Sequence, residues 1–263
     1  MKWEELTAPD FARAVKKTRG TCIVPIGVIE KHGDHLPLGT DFLMGKWLAE
    51  AAALREPAVV FPPFYFGEIH VAMPQPGTIA IDNRVMFDLL EQVCDEIARN
   101  GFKKILLLNA HGGNRHYLPY FAQSMLARRR DYVVYTVNYY ELAREDDPRW
   151  KKMKQSTVDG HGGECETSMM LAAFPELVRM QAIAAQGLPL GRLKHLDKHV
   201  FTGVAWYADF PRHYAGNGSH GSLAKGRYLV EECVKRCAQI IRQVKRDETA
   251  PRLTKEFYLR VRG

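Results

Sequence analysis

An α/β fold, a three-layer sandwich with a mostly parallel central sheet flanked by helices on both faces, is what this 263-residue sequence predicts. Three observations carry that prediction: short apolar runs of the kind that strands buried on both faces require, helical periodicity between them, and regular alternation of the two. In such a sheet a ligand site lies at the carboxyl ends of the strands.

In chain order, residues 22–26 form the first strand, an apolar run that ends in turn-forming residues. A helix follows over 41–54, with Thr40 as its expected cap. Residues 59–61 supply the second strand. The second helix spans 84–100, where Val85, Leu89, Val93 and Ile97 recur four residues apart; Asp82 is placed as its N-cap and Gly101 is placed to end it. The most apolar run, Ile105-Leu106-Leu107-Leu108, is the third strand, followed by a helix over about 115–130 and a fourth strand over 132–137. A last long helix runs from about 222 to 244, and the aperiodic, glycine-bearing stretch 186–221 reads as long loops on the rim of a site.

Composition sets the surroundings of that fold. A hydrophobic content of 46%, evenly spread, places one domain over residues 1–263. Five cysteines with no CxxC pair fit a reducing cytosol better than a disulfide framework. Glu4, Glu5 and Asp10 are foreign to a secretory leader, and no apolar run approaches the roughly 18 residues of a membrane span, so a cytoplasmic protein with no membrane partner is expected. The formal charge of +7 raises the question of nucleic acid. Its excess sits in Arg128, Arg129 and Arg130, in Lys151, Lys152 and Lys154, and in a tail interleaved with Asp247, Glu248 and Glu256. The triple arginine falls at the end of a predicted helix, where cations favour the dipole, and no nucleic-acid module accompanies it. A solvated surface is the expectation, with no nucleic-acid partner.

Three glycine-bearing clusters hold the chemistry: Glu30-Lys31-His32-Gly33-Asp34-His35 running to Asp41, Asn109-Ala110-His111-Gly112-Gly113-Asn114, and Asp159-Gly160-His161-Gly162-Gly163-Glu164-Cys165-Glu166. Glu30 and His32 stand two apart after the first strand, so extended backbone points both the same way. Each cluster alone has a plainer reading. A Glu-x-His pair after a strand arises by accident, Asp41 favours a helix N-terminus, His111 fits a tight strand-to-helix turn, and Glu164 and Glu166 suit the start of a helix.

Together the clusters are more specific. The sequence resembles the creatininase family of metal-dependent amidohydrolases, whose members carry a Glu-x-His-Gly-x-His-Leu-Pro segment reaching a Thr-Asp, an Asn-Gly-His-Gly-Gly-Asn-like turn and a His-Ala-Gly-x-x-Glu-Thr-Ser segment. Here these read Glu30 to Pro37 with Thr40-Asp41, Asn109 to Asn114 with Ala110 in the second slot, and His161 to Ser168; Pro76-Gly77-Thr78 matches a further family segment. The likeness runs over about 22–173 and is weaker around 218–231.

The resemblance implies that Glu30 and His111 bind one divalent ion, His32 the other, and Asp41 both, with Glu166 as a further ligand or as the group that orients the attacking water. Mixed imidazole and carboxylate ligands suit zinc first, with manganese or iron as alternatives. Two ions roughly 3.5 to 4 Å apart acidify a bridging water and polarise a carbonyl, so the expected nucleophile is hydroxide. His161 is expected to carry a proton to the departing nitrogen, at an ordinary imidazole pKa near about 6.5. The expected substrate is a small, cyclic or formyl amide; a peptidase or deformylase of the same family, or a non-catalytic metal-stabilised assembly protein, are the alternatives. Family analogy also implies a homohexamer. One departure counts against creatinine: creatininase itself has a glutamate two residues after the second-turn histidine, where this chain has Gly113. His35 is expected to position other groups, and Asn109 and Asn114 to pin their loop.

Other chemistries fit poorly. His111-Gly112-Gly113 is similar to an esterase oxyanion loop, but residues 216–222 contain no Gly-x-Ser-x-Gly. Five residues separate Gly39 from Gly45, one too many for a phosphate loop. Cys165 as a thiol nucleophile lies between two glutamates that would raise its pKa. Tyr65, Phe66, His70, Tyr139, Tyr140, Trp150 and Trp206 are candidates to line a flat substrate's pocket.

Overall fold

The computed structural model describes residues 1–142 and 147–261. Four strands, β1 (Thr21–Ile26), β2 (Val59–Val60), β3 (Lys104–Asn109) and β4 (Val133–Asn138), alternate with α1 (Ala8–Lys17), α2 (Thr40–Arg55), α3 (Asn83–Arg99) and α4 (Asn114–Ser124). After β4 come α5 (Pro148–Met153), α6 (Glu164–Ala173), α7 (Ala205–Asp209), α8 (Leu223–Arg246) and α9 (Thr249–Arg260). Every strand pairing is parallel, in the order β2-β1-β3-β4.

Strand periodicity sorts the core into two layers. Cys22, Val24, Ile26, Ile105 and Leu107 face one cluster with Leu90, Cys94 and Ile97 of α3 and Leu118 and Phe121 of α4. The alternate residues Ile23, Leu106 and Leu108 face the other, with Leu48 and Ala52 of α2, Met169 and Met170 of α6, and Cys233, Cys237 and Ile241 of α8. Right-handed crossovers require this division. The step from β1 to β2 runs one way across the sheet, those to β3 and β4 run the other, and the intervening helices therefore fall on opposite faces. The reversal lies between β1 and β3, whose carboxyl ends Ile26 and Asn109 are level in register. That crevice is where a doubly wound sheet binds ligands.

The predicted elements are present with some corrections. Asp82 caps α3 by accepting from Arg84 N at 2.9 Å, and Gly101 follows the helix at φ 101°. Thr40 is not a cap. It is the buried first residue of α2, its hydroxyl donates to Pro37 O at 2.7 Å, and Gly39 holds the cap position. The helix expected to reach residue 130 ends at Ser124 and tightens into a 3-10 turn, Met125–Ala127. Its trailing carbonyls are claimed from afar: Arg130 Nη1 donates to Met125 O at 2.6 Å, and Tyr258 Oη of α9 donates to Leu126 O at 3.1 Å. The triple arginine therefore lies beyond the helix, and Arg130 pairs with Asp95 at 3.2 Å and with Glu91. Helices α1 and α9 extend the prediction, the tail being helical up to Arg260; Arg262 lies outside the described residues. Among the described residues no helix is long and apolar enough to cross a membrane.

Candidate metal centre

The segment after β1 folds back on itself, Glu30 N donating to Leu38 O at 2.9 Å. This tucks Glu30 and His32 beneath the loop, both wholly buried. Gly33 makes the turn at φ 64°, a left-handed conformation that costs other residues free energy. The first turn of α2 brings Asp41 against them. At the end of β3, Asn109 accepts from His111 N at 3.0 Å and donates to Asn138 at 2.8 Å, which aims His111 across the crevice. Asn114 accepts from Glu68 N at 2.8 Å. Both asparagines pin their loops as expected.

The four side chains from these three segments converge. His32 Nε2 lies 3.1 Å from Asp41 Oδ1 and 3.9 Å from Glu30 Oε1, and His111 Nε2 lies 3.0 Å from Glu30 Oε1. Each offers a donor atom, and those of Glu30, Asp41 and His111 all fall within 4.8 Å of one another. A fourth segment joins at the start of α6. Gly162 turns at φ 63° and donates to Glu166 Oε2 at 2.6 Å, so the carboxylate stands over the loop. His32, His161 and Glu166 form a second group within 4.8 Å.

The electrostatics of these side chains follow from their burial and their pairing. Burial lowers an imidazole's pKa, but the Asp41 charge outweighs it at His32, which is pushed up to about 10. Burial is likewise outweighed by Glu30 at His111, raised to about 9. Burial raises Asp41 to about 7 against the pull of His32. At Glu30 burial is overcome by His161 and His111, which hold the carboxyl well below its usual range. Protons on imidazoles thus stand in for positive charge, while Asp41 Oδ2 and His111 Nδ1 are buried without a hydrogen-bond partner. An unpartnered carboxylate oxygen such as Asp41 Oδ2, in a set of carboxylates and imidazoles, fits divalent cations.

Not every expectation holds. His161 stacks on His32 with ring centroids 4.1 Å apart, and its Nε2 donates to Lys31 O at 2.6 Å. Burial and His32 push it down to about 4 rather than leaving it at the ordinary imidazole value. Glu164 turns away to pair with Lys225 at 2.5 Å and to accept from Ser156 N at 2.7 Å, so it clamps α6 to α8. His35 binds Thr167 Oγ1 at 2.8 Å, and Cys165 is buried in the core. Of the aromatic candidates, Tyr139 and Trp150 are buried, Tyr140 and Trp150 border a cleft beside Glu166, and Tyr65 packs on Phe66.

Two residues at the centre escape sequence reasoning. His213, from the aperiodic loops, touches Glu30 Oε2 through Nε2 and takes the indole N–H of Trp206 on Nδ1 at 3.1 Å. Glu68 fills the place beside Gly113. A Cβ there would come within 2.6 Å of His111 Cε1, 2.7 Å of Glu68 Oε2 and 2.8 Å of Glu68 O. The only sequence signals were a histidine seven residues after a tryptophan and an isolated acid before Ile69-His70.

The parallel α/β sandwich thus carries buried carboxylates and imidazoles at its switch point. This chain belongs to the creatininase family: the profile Creatininase, Creatinine amidohydrolase, matches residues 4–241. It is similar to the creatinine amidohydrolase of Pseudomonas putida, 25% identical over 91% of this chain and 95% of that one. It is 27% identical to the 3-dehydro-scyllo-inosose hydrolase of Thermotoga maritima, over 84% and 76% of the two chains. It is 28% identical to the mycofactocin precursor peptide peptidase of Mycolicibacterium smegmatis, over 84% of each. Its fold superposes on a Zn-Zn type mutant creatininase with a TM-score of 0.78, at 22% identity over 94% of this chain and 98% of that one. A structure of creatininase Mn gives the same TM-score of 0.78, at 22% identity over 94% and 99%.

Proposed function

We propose that this chain is a binuclear metal-dependent amidohydrolase that cleaves a non-peptide C–N bond of a small cyclic or formyl amide, and that residues 1–263 form one such domain. The observation that carries the reading is the convergence of two ligand groups, Glu30 with Asp41 and His111, and His32 with His161 and Glu166, joined by the 3.1 Å contact of His32 with Asp41. Glu30, Asp41 and His111 would hold one ion, and His32, Asp41 and Glu166 the other, with zinc the first choice and manganese or iron as alternatives. Relatives of known Zn-Zn and Mn forms support that choice. Bound there, the ions supply Lewis acidity, which lowers the pKa of water and polarises a carbonyl.

The chain's own groups do the rest. Asp41 presents one oxygen to His32 and leaves the other for a second partner. Glu166, held by the Gly162 amide, faces the cleft and is placed to orient water or substrate. His161 is neutral at physiological pH in this setting, so it can accept a proton and pass it to the leaving nitrogen. A cleft of about 470 Å³, bordered by Gly112, Tyr140, Trp150, Lys151, Lys154 and Glu166, is of small-molecule size. Its two aromatic walls favour a flat substrate, and its two lysines favour one that carries an anionic group. With Gly113 closed off by Glu68, the substrate is expected to differ from creatinine. The homohexamer of the family belongs to this reading, with exposed Leu188, Leu190, Val200, Phe201 and Val204 as its candidate contact surface. So does a cytoplasmic setting, since all five cysteines are buried and none is in a disulfide.

Elemental analysis of freshly purified protein, then assay against cyclic amides, formamides and dipeptides, tests the proposal. Turnover of a cyclic amide or formamide that is lost on chelation and restored by Zn²⁺, Mn²⁺ or Fe²⁺ is expected. Hydrolysis of dipeptides alone would make the chain a peptidase, and bound metal without turnover would make it a metal-stabilised assembly protein.

A further inference from the structure

We propose that His213 is a positioning residue that sets the Glu30 carboxylate for metal and is not itself a ligand, an inference that rests on the metal-centre reading above. Proximity alone points the other way, because donor atoms of Glu30, His161 and His213 lie within 4.8 Å of one another. Hydrogen-bond direction decides the matter. An indole N–H can only donate, so the 3.1 Å bond from Trp206 Nε1 occupies the lone pair of His213 Nδ1. The ring proton therefore resides on Nε2, which faces Glu30 Oε2 and donates to it. A ring with Nδ1 accepting and Nε2 protonated has no lone pair left for a cation. Glu30 keeps Oε1 directed at His111, 3.0 Å away, which is the oxygen left for metal.

The backbone supports a dedicated role. His213 sits at φ 54°, which is rare outside glycine, and is 3% exposed, fixed by its own N–H bond to Phe210 O at 2.9 Å. Trp206 is wedged beside it, 5.8 Å from the His161 ring and stacked on Phe210 at 4.7 Å. The strained turn and the short helix α7 together deliver one N–H to one carboxylate oxygen. Groups that orient a ligand from behind are worth about 10- to 100-fold in metal affinity.

The test titrates Zn²⁺ into metal-free protein against a chromophoric chelator. His213→Asn tolerates the left-handed backbone but cannot reach Glu30, and is expected to weaken Zn²⁺ by about 10- to 100-fold. The visible bands of its Co²⁺ form should match wild type, because no ligand is lost. Trp206→Phe, which deletes the indole N–H and keeps an aromatic ring, should lose less affinity. Nitrogen-15 NMR of the metal-free wild type should show the Nε2–H form of His213. Unchanged Zn²⁺ affinity in folded His213→Asn, Co²⁺ bands shifted by loss of a nitrogen ligand, or an Nδ1–H ring would each overturn the inference. If wild type binds no Zn²⁺, the metal-centre reading itself fails, and the tautomer still reports on the Trp206–His213–Glu30 chain.

Discussion

Filling the centre with metal must expel protons, and the structure says how many. His32 is paired with Asp41 at 3.1 Å and His111 with Glu30 at 3.0 Å, and against the cost of burial these partners raise the two rings to about 10 and about 9. Asp41, at about 7, is mostly ionised at pH 8. An imidazole ligates only as the neutral ring, so loading both ions at pH 8 releases about two protons from His32 and His111, with one more where the ions ionise a water. Calorimetric titration of Zn²⁺ into metal-free protein, repeated in buffers of different ionisation enthalpy, reads that number as a slope. The two imidazole protons alone make the overall affinity rise by about 100-fold per pH unit between pH 7 and 8 and level off above about pH 10, because protons compete with metal. For folding of the metal-free protein the sign is reversed. Raised imidazoles contribute stability that is full below about pH 6.5 and lost as pH climbs through their folded values. Saturable Zn²⁺ binding at pH 8 with no proton release would refute the charge balance drawn here.

Three further outcomes follow from the geometry. His161→Ala should retain both ions and slow the chemical step by roughly 10² to 10⁴; single-turnover kinetics beside metal content checks this, and loss of an ion would make His161 a ligand. Glu164→Gln leaves Lys225 without its charged partner and should cost about 3 kcal/mol, a fall of roughly 6–12 °C in Tm by calorimetry. The Glu164 carboxyl is lowered, as Lys225 and the 155–156 amides outweigh its burial. Its contribution is therefore complete above the unfolded range near about 4.3, and the gap between variant and wild type should close as pH falls below that range. Gly113→Ala, at φ −61°, meets no backbone objection but drives Cβ into His111 and the Glu68 carbonyl. It should cost about 1–3 kcal/mol and weaken Zn²⁺ binding; unchanged Tm and affinity would mean that the Glu68 loop yields freely.

The sheet was legible because strands buried on both faces must be apolar throughout, and residues 22–26 and 105–108 admit no other reading in a chain that alternates them with amphipathic helices. The convergence of Glu30, His32, Asp41, His111, His161 and Glu166 was legible only from the three clusters taken together and their resemblance to a family, since each glycine-bearing segment alone also reads as an ordinary turn or helix start. Where the sequence misled, a distant partner decided. Tyr258 and Arg130 end α4 early. Helix α1 had a usable signal, Thr7 accepting from Asp10 N across the first turn with Pro9 inside it. His213 had only its place seven residues after Trp206, since its role depends on a left-handed turn and an indole from another element.

One aspartate, Asp41, held in common by two cations is the centre of the proposed site. Metal content per chain, measured by elemental analysis on wild type and Asp41→Asn after equilibration with Zn²⁺, tests it most directly. Two ions in wild type and fewer than one in the variant are predicted. Two ions retained by folded Asp41→Asn would contradict the shared ligand, and none in wild type would contradict the centre.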